Sequence, residues 1–139
     1  MAAKPKIVHH WQLEAFKLAR EGAQKFFQLS KRFPREETYS LTDQGRRSSR
    51  AVGAMIAEAW RRRKYEAAFV NKLSEAEGEA AETQVWIMHA VDCEYLTKSE
   101  ARDLHRLYDR LLGKLVTMGN RPEVWLLRKT SAAALGAPG

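Results

Sequence analysis

Histidine, cysteine and paired carboxylates are the residue types here that do metal or acid–base chemistry, and their spacing in this chain supports neither. A di-metal centre in a helical bundle needs Glu-x-x-His on two helices. The residues three before His89 and His105 are Trp86 and Arg102, and His9 and His10 are adjacent, so they point in different directions. Glu79 and Glu82 share a helix face without a histidine beside them and read as solvated charge. Cys93 lies between Asp92 and Glu94, which disfavour a thiolate, so it reads as a packing residue rather than a nucleophile. Glu58 precedes Arg61 and Arg62 at pairing distance on a helix. Neither a GxxxxGK[ST] phosphate loop nor a G-x-S-x-G elbow occurs. The expectation is no enzyme, no metal and no cofactor.

Arginine is left. Residues 31–64 carry ten bases and four acids, whereas residues 65–95 carry one base and seven acids. At about 100° per residue, with Arg46 as zero, Lys64 falls at about 0°, Arg50 at about 40°, Arg61 at about 60° and Arg47 at about 100°. Arg46, Arg47, Arg50, Arg61 and Lys64 therefore form a basic stripe able to neutralise several phosphates. The same stripe could instead offset Glu66, Glu75, Glu77, Glu79 and Glu82, in its own subunit or a neighbour.

Four helices must position these groups. Proline occurs only at positions 5, 34, 122 and 138, which leaves two long stretches free of the strongest helix breaker. The first helix is expected from Trp11 to Lys31, with Trp11, Ala15, Leu18, Gly22, Phe26, Leu29 and Phe33 on one stripe ended by Pro34. The second opens near Ser40 or Thr42, aligns Leu41, Gly45, Ser48, Val52, Met55 and Ala59, and ends around Lys64. The third repeats from Tyr65 through Phe69, Leu73, Ala76, Ala80, Thr83, Ile87 and Ala90. Thr97 and Glu100 form a capping box before the fourth, whose repeat is Ala101, Leu104, Tyr108, Leu111, Leu115 and Met118, with Gly119 suited to the C′ position and Pro122 as the stop. Short connections between such helices imply an all-α, antiparallel up-and-down four-helix bundle over residues 11–118. Residues 1–10 read as a flexible N-terminus, and residues 119–139 as an extension with a mobile tail.

The first helix carries a second apolar line through Leu13, Phe16, Ala23 and Phe27. It is either a broad core-facing stripe or a subunit interface, for which Leu13, Phe16 and Phe27 are the candidates. Length and composition fit one domain: 139 residues, 45% hydrophobic and 29% charged, net +7 from 24 bases and 17 acids. A single cysteine excludes an internal disulfide, and the longest apolar run, Ala51 to Ala57, falls far short of the ~20 residues of a membrane span. Lys4 and Lys6 lead into His9 and His10 rather than a signal-peptide core, so a cytoplasmic protein without a membrane partner is expected.

Over roughly residues 11–118, and most specifically from Phe33 to Leu96, the chain resembles the four-helix bundle family encoded in intervening sequences of bacterial large-subunit ribosomal RNA genes. The carrying motifs are Phe33-Pro34-x-Glu36-Glu37, Thr42-Asp43-Gln44-x-Arg46-Arg47, Ile56-Ala57-Glu58 with its following arginines, and Glu82-Thr83-Gln84. Met55 and Gly45 depart from the family pattern, which commonly has Asn and an aliphatic residue there, and Gly45 is expected to loosen the start of helix two. The resemblance implies a left-handed bundle that assembles as a ring-like homopentamer without established enzymatic activity. It also extends to the fold of the accessory variability protein of diversity-generating retroelements, a basic pentamer associated with nucleic acid and a reverse transcriptase. The expected function is a non-enzymatic homo-oligomer that binds RNA, DNA or a ribonucleoprotein through the basic face. The rival expectation is a protein-interaction scaffold without nucleic-acid binding, whose arginines pair with acidic helices across subunit boundaries.

Overall fold

Apolar periodicity, one capping box and two prolines account for most of the helix boundaries in the computed structural model, which describes residues 6–127. The four helices are α1 (Glu14–Ser30), α2 (Leu41–Arg61), α3 (Glu66–Asp92) and α4 (Lys98–Asn120). Neighbours in sequence pack against each other and α4 packs back on α1, which closes an antiparallel up-and-down bundle. Residues 128–139, which include the expected mobile tail of the extension, lie outside the described residues, as do residues 1–5 of the N-terminus. Residues 6–10 are tied to the bundle: Ile7 packs on the core and the Val8 carbonyl accepts from the Trp60 indole at 3.1 Å.

Three boundaries differ from the sequence expectation for local reasons. The chain turns through a 3₁₀ segment at His10–Gln12, where the Gln12 amide oxygen accepts the Val8 and His9 backbone N–H groups at 2.8 Å each, so α1 starts only at Glu14. Trp11, expected on the buried stripe, is therefore outside the helix, 53% exposed, and stacked on His9. Helix α2 stops at Arg61 rather than near Lys64, because residues 62–64 turn toward α3. Gly119 is not a C′ residue: α4 runs through it to Asn120, and Pro122 provides the stop.

Helix α4 starts where the capping box places it. The Thr97 hydroxyl accepts the Glu100 backbone N–H at 3.1 Å, and the Glu100 carboxylate accepts the Thr97 N–H at 3.0 Å. That carboxylate also takes a 2.7 Å bond from Arg32 just beyond α1, so one side chain caps a helix and ties two ends of the bundle together. Between α3 and α4, Glu94 takes a left-handed conformation (φ 64°) while the Tyr95 and Leu96 N–H groups return to the Ala90 carbonyl.

The core follows the stripes. All seven α3 positions from Phe69 to Ala90 are buried, as are Ala101, Leu104, Tyr108, Leu111, Leu115 and Met118 of α4. In α2, Ile56 rather than Met55 takes the buried place between Val52 and Ala59, and Met55 is half-buried beside it. Cys93, read as a packing residue, is instead exposed, because α3 ends at Asp92 and leaves it in the turn. Two glycines set the spacing of α1. A Cβ on Gly22 would stand 2.8 Å from the ring and hydroxyl of Tyr108, and a Cβ on Gly45 would collide with the Phe26 ring. Gly45 does not loosen α2: the space an aliphatic side chain would take is filled by Phe26, which is fully buried.

Two outcomes follow. Gly45→Ala gains ~1 kcal/mol of helix propensity but overpacks the Phe26 site by about 1–3 kcal/mol, so urea denaturation should show a less stable variant; a more stable one would mean that Phe26 can leave the notch. The Arg32 side chain and the Thr97 N–H hold the Glu100 carboxyl down to about 2 from its usual 4.5. A depressed folded-state value stabilises the fold above about pH 4.5, and that stability drains as pH falls toward 2. Melting temperatures across this range should fall less steeply for Glu100→Gln than for the parent, from a lower starting value at neutral pH.

Candidate nucleic-acid interface

The predicted basic residues separate into three environments. Arg46 is half-buried: its Nε donates to the Ser30 hydroxyl at 2.8 Å, and its guanidinium lies 4.7 Å from the Phe27 ring centre. Ser30 in turn donates to the Phe27 carbonyl at 2.8 Å, so Arg46 bridges α2 to the end of α1. Arg47, Arg50 and Arg61 are exposed on the outer side of α2. Arg47 approaches Asp43 only at 3.9 Å, and neither Arg50 nor Arg61 forms an ion pair among the described residues. Lys64 is exposed too, but it lies in the turn after α2, so the helical arithmetic that aligned it with Arg46 does not apply.

Phe27 organises this face. Lys31 sits 5.0 Å from its ring centre and Arg50 5.5 Å, so together with Arg46 three cations gather on one aromatic ring. Each is attracted to the ring, yet like charges this close repel, and no carboxylate pairs with any of the three among the described residues. An anionic group placed among them relieves that repulsion. Sequence reasoning did not find Lys31; its signal was the i, i+4 spacing from Phe27.

The interface candidates also part company. Leu13 is 2% exposed and belongs to the core of its own protomer, because it sits at the very start of α1 against the bundle. Phe16 and Phe27 are half-buried and mark the two ends of a groove of about 270 Å³ between α1 and α2, floored by Ala19, Ala23, Gly53 and Ala54 with Arg20 and Arg50 among its lining residues.

Other polar groups tie helices together. Lys72 bonds Glu58 of α2 at 2.9 Å and Glu75 at 2.8 Å, and the two acids raise its pKa. The Glu37 carboxylate accepts from Ser40 at 2.6 Å and from the Tyr95 hydroxyl at 2.9 Å; these bonds lower the Glu37 pKa and push the Tyr95 phenol up to about 12. Glu79, half-buried next to Glu82, has its pKa raised by burial and then by that neighbour, so it is less solvated than its sequence context implied. No three His, Cys, Asp or Glu side chains come together among the described residues. None of their helices is long and apolar enough to cross a membrane.

An antiparallel four-helix bundle with a cation cluster on its α1/α2 surface defines an all-α helical-bundle protein. The chain belongs to the 23S rRNA-intervening sequence protein family, whose model matches residues 11–117. It is similar to the crystal structure of a protein of unknown function from the S23 ribosomal protein family of Bacteroides thetaiotaomicron VPI-5482. The two are 26% identical over 76% of this chain and 95% of that one, with a TM-score of 0.69. No curated protein matches the chain.

The two kinds of arginine should separate in a stability assay. Arg46→Ala should cost about 1–2 kcal/mol in urea denaturation, since it removes the donor to the buried Ser30 hydroxyl oxygen and uncovers Phe27. Arg47→Ala and Arg61→Ala should stay within about 0.5 kcal/mol of the parent.

Proposed function

We propose that the protein is a non-enzymatic, homo-oligomeric bundle of the cytoplasm that binds RNA, alone or in a ribonucleoprotein, through phosphate contacts on the α1/α2 face. The observation that carries this reading is the cluster of Lys31, Arg46 and Arg50 on Phe27, continued by the exposed Arg47 and Arg61, with little acid to neutralise it. The family description, with its 23S rRNA, favours RNA over DNA. Arg46 serves the fold first, so the phosphate contacts fall mainly to Lys31, Arg47, Arg50 and Arg61. Such contacts position a backbone without reading bases, which makes binding salt-dependent and tolerant of sequence.

Assembly is the second element of the proposal. The groove between Phe16 and Phe27 has a floor of alanine and glycine that admits a neighbouring helix closely, in keeping with the homopentamer that the family resemblance implies. The scaffold reading has its own support in α3, where Glu66 is exposed and, among the described residues, forms no ion pair, so it offers the arginines of another subunit a target.

A variant with Arg47→Ala, Arg50→Ala and Arg61→Ala separates the readings. Each substitution removes one cation that meets a phosphate, so the slope of log affinity against log salt for RNA should fall by about three units, one per arginine, while light scattering still returns the mass of a pentamer. Unchanged RNA affinity in an intact oligomer would remove this face from the proposal, and dissociation would favour the scaffold. A parent that scatters as a monomer at micromolar concentration would refute the assembly.

A further inference from the structure

A second aromatic and cationic cluster lies at the end of the bundle where α2 turns into α3. The Trp60 indole is buried, and the Arg63 guanidinium lies flat enough on it to place its carbon 3.5 Å from the ring centre. Arg63 is fixed in that position, because its Nε donates to the Trp60 carbonyl at 2.8 Å and its own carbonyl accepts the Leu127 N–H at 3.1 Å. Trp125 meets Trp60 edge-on at 6.2 Å between ring centres. Around these groups opens a pocket of about 550 Å³, lined also by Lys6, Val124 and Leu127, within the range of about 300–1,000 Å³ typical of small-ligand sites.

The pocket's surroundings select its occupant. Lys6, Arg61, Arg62, Arg63 and Lys64 crowd this end of the chain, and none forms an ion pair among the described residues. Of the nearby acids, Glu123 is already held by Arg121 at 3.3 Å, and Glu66 begins α3. Burial and the charge of Arg61 both press on the Arg63 cation, so a planar, electron-rich group against it is favoured. A flat guanidinium on an indole, a second indole at the side and a rim of unpaired cations match a flat aromatic ligand that carries phosphates.

We infer that the pocket of Trp60, Arg63 and Trp125 is a stacking site for an unpaired nucleobase, whose flanking phosphates meet Lys6, Arg61, Arg62 and Lys64. The inference rests on the nucleic-acid reading above and deepens it: the RNA is single-stranded where it enters this end of the bundle. A duplex keeps its bases stacked on each other and cannot offer one without the cost of unpairing. Stacking on Arg and aromatic planes tolerates any base, so the site adds strand selectivity rather than sequence specificity.

Binding of the full chain to an oligoadenylate RNA of about twelve nucleotides and to an RNA duplex of the same length tests this, followed by anisotropy and by tryptophan fluorescence. The single strand should bind more tightly than the duplex and quench the fluorescence. Trp125→Leu should weaken the single strand about tenfold, leave duplex affinity unchanged, and keep the salt slope, because it removes no charge. Arg63→Lys, which keeps the charge without the plane, should act in the same direction. Two variants that bind the single strand as the parent does, or weaken single strand and duplex equally, would overturn the stacking site while leaving the phosphate face standing. A parent that quenches no more with the single strand than with the duplex would also overturn it. Failure of the parent to bind either RNA would remove both proposals.

Discussion

The structure depends on how closely α1 can approach its two neighbours. Gly45 on α2 leaves a notch that the Phe26 ring fills, and Gly22 on α1 leaves one that Tyr108 of α4 fills. With both rings fully buried, α1 is fixed in rotation as well as in distance. The next residue, Phe27, must then emerge about 100° around the helix, and it does so under Arg46 and Arg50 of α2. One turn on, Ser30 is brought to the Arg46 guanidinium. A bulkier residue at position 45 would push the two helices apart, and the cation cluster and groove would go with them. The candidate interface is therefore a product of core packing, not an independent surface feature.

The residues that carry the family resemblance turn out to connect helices. Glu37 gathers Ser40 and Tyr95 and so links the entry to α2 with the turn before α4. Glu58 reaches Lys72 on α3, Thr83 lies 2.8 Å from Ser48 across α2 and α3, and the Gln84 amide donates to the His105 carbonyl and the Asp109 carboxylate on α4. Arg46 joins α2 to α1. Polar groups of this kind are specific about distance and angle where apolar packing is not, so they fix register in a bundle whose stripes alone would allow helices to slide. A motif made of such ties accounts for a shared fold without calling for a shared reaction centre.

What the sequence made legible was whatever is local. Stripes with a period near 3.6 located most of the cores of α3 and α4, missing only that Tyr65 is exposed ahead of α3 and that Leu107 is buried, and the Thr97/Glu100 box fixed the start of α4, because the interactions involved span at most a few turns. Where a helix stops is harder. Lys64 aligns with Arg46 only if α2 continues past Arg61, and Trp11 joins the buried stripe only if α1 begins before Glu14. The apolar line through Leu13, Phe16 and Phe27 is visible, but its division between core and groove depends on how α2 packs, which no pattern within α1 encodes. The pairing of Trp60 with Trp125, and of Phe27 with Arg46 and Arg50 of α2, arises from tertiary contact alone.

Charge makes the last connection between fold and function. Helices α2 and α3 pack side by side with opposite charge, yet the ion pairs between them run against the trend: Lys72, the one lysine or arginine of α3, bonds Glu58, an acid of α2. Among the described residues, no arginine of α2 pairs with a glutamate of α3. The arginines of α2 and the glutamates of α3 thus leave each other unpaired. A polyphosphate chain satisfies the basic side alone, whereas a second subunit satisfies both sides at once, and both associations weaken as salt rises. They differ in which residues must be free: Arg50 lies on the rim of the α1/α2 groove as well as on the Phe27 cluster. On the proposed reading, subunit docking in that groove and phosphate binding beside it fall next to each other, with Arg50 between the two.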